Sequence, residues 1–301
     1  MGSAKTTWQA GPWLQISKLE ERRRIERLVL SIANEPQNGS GRDRLLAEAT
    51  RGFLKCLPSL LSEAVWAAAI PHWFDEEILA HILDIPKEDA AAQCTPMLEM
   101  PFVQQVEQWH AVHELTRRLL LDNLWRWRRK TFLVWGRRAA EAFERHSDNP
   151  DFLIESIYHW LVADPDRGIN LVKYWWAKWS ETFQYSYLHA LVQAGLEHKK
   201  AGRLGRRAQG WILFYEGQLW ILYHEYEIAL EAMKGVLKFV GEDRQLEANC
   251  LKVLGDVARK LRGYDLAWVW YVRALSIYQE IGDRLGEANC KQALENMNRE
   301  Y

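Results

Sequence analysis

The tightest constraint on how this chain folds is a self-similarity in its C-terminal part. Ala248-Asn249-Cys250 followed by Leu254 returns forty positions later as Ala288-Asn289-Cys290 followed by Leu294, and Asp243-Arg244 returns as Asp283-Arg284 at the same spacing. A second echo sets Gly217, Tyr226 and Ala229 against Gly255, Tyr264 and Ala267, 38 positions on. A period of this length in helix-forming sequence signals stacked helical hairpins, because one hairpin cannot bury its apolar face alone and must lay it against the next. The residue types agree. Gly255, Ala267 and Ala274 lack bulk where two helices must approach closely, and Leu254, Tyr264 and Tyr271 fill the space between them.

These spacings resemble the tetratricopeptide family. The resemblance is strong over 248–287, where Leu254-Gly255, Tyr264, Ala267, Tyr271 and Ala274 stand at family positions, and weaker over 210–245, where Met233 and Val236 replace the usual aromatic and alanine. From Ala288 only the first helix of a further unit remains. Its polar Glu295, Asn296, Asn298, Arg299 and Glu300 suit a capping helix. The resemblance implies that first helices, expected at 210–222, 248–261 and 288–299, line a concave face that binds a protein partner as a peptide or helix. The partner-binding candidates are Trp211, Tyr215 and Gln218 on the first; Asn249, Lys252, Asp256 and Arg259 on the second; and Asn289, Gln292 and Asn296 on the third. Residues three or four apart share one helix face. Aromatics supply anchoring area and polar groups fix register. The plainer reading is a solvated helix face, with Trp211 and Tyr215 packed on Trp175, Trp176 or Trp179.

Upstream, residues 13–33 space apolar side chains at helical intervals around the charged run Glu20–Arg24, and 34–42 concentrate turn residues. Pro58, Pro71, Pro86, Pro96 and Pro101 punctuate short helices from 43 to about 143. At most one small hairpin is expected, between residues 95 and 112. Leu61–Arg117 resembles the winged-helix module of STAND signalling ATPases, and Phe152–Leu161 with Ala163-Asp-Pro165 resembles the helical bridge into their tetratricopeptide sensors. The expected fold is therefore all-α: a winged-helix-like helical domain followed by a tetratricopeptide-like α-solenoid. Its expected partition is 1–43 amphipathic helix and linker, 44–145 winged-helix-like domain, 146–205 bridge and 206–301 repeats. In that family the histidine matching His113 sits near the nucleotide. Here no complete GxxxxGK[ST] loop cradles a phosphate, and Gly2-Ser-Ala-Lys5-Thr6 has no strand before it. Met1-Gly2 with Thr6 also fits a myristoylation signal, though start-site sequence explains it as simply.

No catalytic constellation stands out. HExxH, GxSxG and GxGxxG are absent. His110 and His113 lack a third ligand at metal spacing, and Asp75-Glu76-Glu77 reads as a helix start. A non-enzymatic scaffold or adaptor without cofactor or metal is expected. Lys plus Arg (39) and Asp plus Glu (40) nearly cancel, so any nucleic-acid binding must be local. The alternative function rests on one such place: Arg126, Arg128, Arg129 and Lys130, interleaved with Trp125 and Trp127, could pair phosphates and stack bases. Four cysteines without a CxxC pair suggest a reduced, cytoplasmic protein, and no apolar run reaches the length of a membrane span. The 16 Trp are expected mainly in helix–helix contacts.

Overall fold

The computed structural model describes Gly52 and residues 54–300; the expected helix at 13–33, its linker and the Met1–Thr6 motifs lie outside them. Among the described residues there are thirteen helices and one two-stranded hairpin, grouped in two compact units that divide between His159 and Trp160.

The first unit runs α1 (Ser59–Ala68), α2 (Glu76–Leu83), α3 (Lys87–Leu98), β1 (Val103–Val106), β2 (Trp109–Val112), α4 (Glu114–Trp127), α5 (Arg129–Glu144) and the start of α6 (Pro150–Ala163). The hairpin pairs Val103 with Val112 and Val106 with Trp109, and Phe74 adds a single bridge to His110. Helix, strand-like bridge, two helices and a hairpin is the order of a winged helix, in the interval where one hairpin was expected. Asp75 caps α2, its carboxylate accepting the Ile78 N–H at 2.8 Å, so the acidic run is a helix start as expected. Pro96 departs from expectation. It lies inside α3 rather than ending it, because in the last turn a proline forfeits one bond against few remaining turns.

The second unit contains the end of α6, then α7 (Pro165–Glu181), α8 (Tyr185–Lys200), α9 (Arg206–Leu222), α10 (Tyr226–Val236), α11 (Arg244–Lys260), α12 (Tyr264–Ile281) and α13 (Arg284–Glu300). The α7–α8, α9–α10 and α11–α12 turns close identically. Phe183, His224 and Arg262 each take a left-handed conformation. In each case the next N–H reaches back over one turn: Gln184 to Trp179 O at 2.9 Å, Glu225 to Trp220 O at 2.9 Å, and Gly263 to Ala258 O at 2.8 Å. This closure satisfies carbonyls that a helix end leaves unpaired. Hairpin geometry thus reaches back to Pro165, within the segment expected as a bridge.

Aspartate caps open several of these helices. Asp164 accepts the Arg167 N–H at 3.2 Å ahead of Pro165 at the first turn of α7. The first helices begin at 206, 244 and 284 rather than 210, 248 and 288. At the latter two, Asp243 and Asp283 accept the N–H of Leu246 and Gly286, each at 2.9 Å, and an aspartate cap lets the helix start immediately after it.

Burial follows the small–large pattern. A Cβ on Gly255 would lie 2.7 Å from the Tyr271 ring, and one on Gly217 2.6 Å from Met233 Cε. Leu246, Cys250, Leu254 and Val257 form the buried stripe of α11, each large side chain contributing about 1.5–3 kcal/mol. The buried thiols are poor nucleophiles: burial pushes Cys94 and Cys250 up to about 12 and Cys290 up to about 11.

Candidate functional site

Within the second unit the first helices adjoin one another, α7 against α9, α9 against α11 and α11 against α13, while each second helix packs on its own partner and on the next first helix. The first helices α7, α9, α11 and α13 therefore line one side of the stack, its first-helix or inner face.

On α11 the expected residues form one ordered row. Asp256 accepts from Tyr271 Oη at 2.8 Å and from Lys252 Nζ at 2.7 Å. The Asn249 carboxamide oxygen accepts from Tyr278 Oη at 2.8 Å and Gln245 Nε2 at 3.1 Å. Both tyrosines are buried, so residues of α12 reach through to set the orientation of this row. With its oxygen doubly engaged, Asn249 has its NH2 left to donate. Asn249, Lys252, Asp256 and Arg259 are all half-buried. On α13, Asn289 and Gln292 are exposed, and Gln292 donates to Asn296 at 3.0 Å. Gln218 on α9 is half-buried.

Trp211 and Tyr215 require correction: they are core residues, 1% and 6% exposed, and offer no free anchoring surface. Tyr215 stacks on Trp176 with ring centres 4.7 Å apart. Trp211 carries Lys173 Nζ 3.5 Å above its ring and donates from Nε1 to Asp243 at 2.8 Å. The physical reason is α7, whose side chains cover this part of α9. A polar ladder missed from sequence runs alongside. Arg207 pairs with Asp166 of α7 and, at 2.8 Å, with Asp243 at the start of α11; Gln245 donates to Asp283 at the start of α13 at 2.9 Å. Burial pushes the Asp243 carboxyl up, but hydrogen bonds from Leu246 N–H, Trp211 and Arg207 outweigh it and leave it below its ordinary value. Burial lowers Lys173, with the Asp243 charge opposing. The successive aspartates at first-helix starts were the legible signal.

The first unit holds a second constellation that sequence reasoning passed over. Glu155 is 3% exposed and accepts from His72 N–H at 2.9 Å, with His72 Nδ1 at 2.8 Å and His159 Nε2 at 3.2 Å. Beside it buried Arg117 donates to the Pro71 and Ile70 carbonyls at 3.1 and 3.3 Å and to Tyr158 Oη at 3.1 Å. Charged residues inside the apolar run of α6 were the available clue. The group ties α4 and α6 to the loop before α2.

The nucleic-acid candidates are split between duties. Arg128 pairs with Glu63 at 2.7 Å, Arg129 stacks 4.1 Å over Trp125, and Arg126 and Lys130 are exposed. The third helix of the tri-helical core, α3, the element that enters a DNA groove in such folds, opens Lys87-Glu88-Asp89 and carries no arginine. We expect no submicromolar nucleic-acid binding at physiological salt; a salt-sensitive gel shift lost on charge reversal of Arg126, Arg128 and Arg129 would reverse that. His110 is half-buried and His113 exposed, and among the described residues no group of three or more His, Cys, Asp or Glu is arranged to hold a metal.

No family model matches the chain, and no curated protein matches it. Among solved structures it is similar to a STAND (Signal Transduction ATPase with Numerous Domains) protein with a tetratricopeptide repeat sensor from Pyrococcus horikoshii, at 12% identity and a TM-score of 0.36, over 91% of this chain and 52% of that one. The chain spans about half the length of that protein. Among the described residues no helix is long and apolar enough to cross a membrane.

Proposed function

We propose that this chain is a non-catalytic interaction protein, a scaffold or regulatory adaptor, that holds an extended or helical segment of a partner protein against the inner face of α9, α11 and α13. The observation that carries the reading is the α11 row. Asn249 and Asp256 are held in place by buried tyrosines from the neighbouring helix and Asp256 in turn holds Lys252, while the row itself keeps solvent access. Polar groups fixed from behind lose little side-chain entropy on binding, the condition that lets a modest contact be specific. The neighbouring amides Asn289, Gln292 and Asn296 extend the row with groups that both donate and accept, suited to peptide backbone. With Trp211 and Tyr215 buried, recognition on this face is polar rather than aromatic.

The test replaces Asn249, Lys252 and Asn289 singly by alanine, checks that the helical circular dichroism is unchanged, and measures affinity for the partner that co-purifies with the native chain. Each substitution is expected to weaken binding by about 0.5–1.5 kcal/mol, or roughly twofold to tenfold. Unchanged affinity in all three would move the partner site elsewhere.

A further inference from the structure

The outer face of α12 carries an apolar stripe. Leu266 is 60% exposed, Trp268 40%, Val269 49% and Val272 43%. The equivalent helix one repeat earlier provides an internal control. Setting Tyr264 on Tyr226, Val269 falls on Glu231 and Val272 on Lys234, and in α10 those two residues form an exposed ion pair at 2.7 Å. At these two positions one repeat carries charge and the next carries valine, while Leu266 falls on Ile228, itself 47% exposed, so the repeats differ at the centre of the face. Contiguous exposed apolar residues on a helix mark a surface that is covered in the functional state.

The charges beside the stripe specify what covers it. Asp265 and Arg273 stand four positions before and after Val269, so the three share one ridge of the helix, acid at one end and base at the other. Both charged residues are exposed; Arg273 lies 5.3 Å over the Trp270 ring of its own helix. Reversing this ridge end for end exchanges acid for base, so it is complementary to an antiparallel copy of itself. A two-fold axis that crosses this ridge at Val269 would bring the two Val269 side chains together, set each Asp265 beside the opposite Arg273, and place each Leu266 near the opposite Val272. An isologous contact of this kind closes at two copies.

We propose that α12 is a homodimer interface, with two copies of this chain packed antiparallel through Leu266, Trp268, Val269 and Val272 and linked by reciprocal Asp265–Arg273 pairs. The interface lies on a second helix, away from the inner-face row, so dimerisation and partner binding are separable. A contact through one helix face is at the small end of specific interfaces, so a weak, reversible dimer is expected.

Sedimentation velocity on the full chain across low to high micromolar concentrations tests this. The wild type is expected to show a monomer–dimer equilibrium. Asp265→Arg and Arg273→Asp, each setting like charges opposite one another, should raise the dissociation constant about tenfold or more, and the double exchange should restore it because acid again meets base. Val269→Glu, which copies the residue found in α10, should abolish the dimer without unfolding a surface position. A wild type that stays monomeric throughout, including one whose stripe captures a different protein or a lipid vesicle, overturns the proposal. So does a double exchange that remains as weak as the single variants.

Discussion

Glu155→Ala is expected to destabilise the first unit by about 3–5 kcal/mol, because removing one partner of a buried charged group strands the others. The His72 N–H and ring nitrogen would lose their acceptor, and the His159 ring the carboxylate 3.2 Å from its Nε2. The same group predicts an acid response. Burial pushes the Glu155 carboxyl up, but the His72 charge and hydrogen bonds from His159 and His72 outweigh it and hold it well below its ordinary 4.5. Burial holds His159 below its ordinary 6.5, against the pull of Glu155. In both cases the unfolded chain takes up the proton more readily, so stability falls as pH falls. For His159 the loss begins near pH 6.5, and for Glu155 it begins near pH 4.5 and continues through the lower folded-state value. Thermal melts across this range should show both limbs, and Glu155→Gln should flatten the lower one. A melting temperature that is level from pH 7 to pH 4 would mean that this group does not carry the stability assigned to it.

The second large effect is a ranking among glycines. A Cβ on Gly168 would meet backbone, 2.6 Å from Leu161 N and 2.8 Å from Trp160 C, whereas one on Gly217 would meet the mobile end of Met233 at 2.6 Å. Backbone cannot step aside as a methionine terminus can. Gly168→Ala is therefore expected to cost about 3 kcal/mol and Gly217→Ala less than about 1 kcal/mol, read as the difference in denaturation midpoints. Equal costs, or the reverse order, would show that α6 and α7 do not approach as closely as described.

The sequence made the repeat legible because its small and large residues recur at fixed spacing, and the structure uses Gly255 against Tyr271 and Gly217 against Met233 as that spacing implies. It did not disclose the α7–α8 hairpin. That turn closes on Phe183, and a phenylalanine carries no local signature of a left-handed conformation in the way glycine or asparagine does. The site was legible as a helix face but not as a surface. Asn249, Lys252 and Asp256 lie at the register expected, whereas Trp211 and Tyr215 share that helical region and are covered by Lys173 and Trp176, a burial that depends on a neighbour distant in sequence. The α12 stripe stayed hidden for the opposite reason. A helix apolar on all sides reads as core, and only the three-dimensional stack shows that one side is exposed among the described residues.

The claim that α11 and α13 hold the partner is tested most directly by photo-crosslinking. p-Benzoylphenylalanine is placed in turn at Lys252 and Gln292 on the inner face and at Glu231 and Lys234 on α10, and the adducts with the co-purifying partner are mapped by mass spectrometry. Adducts from Lys252 and Gln292 to one continuous partner segment, with none from Glu231 or Lys234, are the expected result; adducts confined to the α10 positions would contradict it.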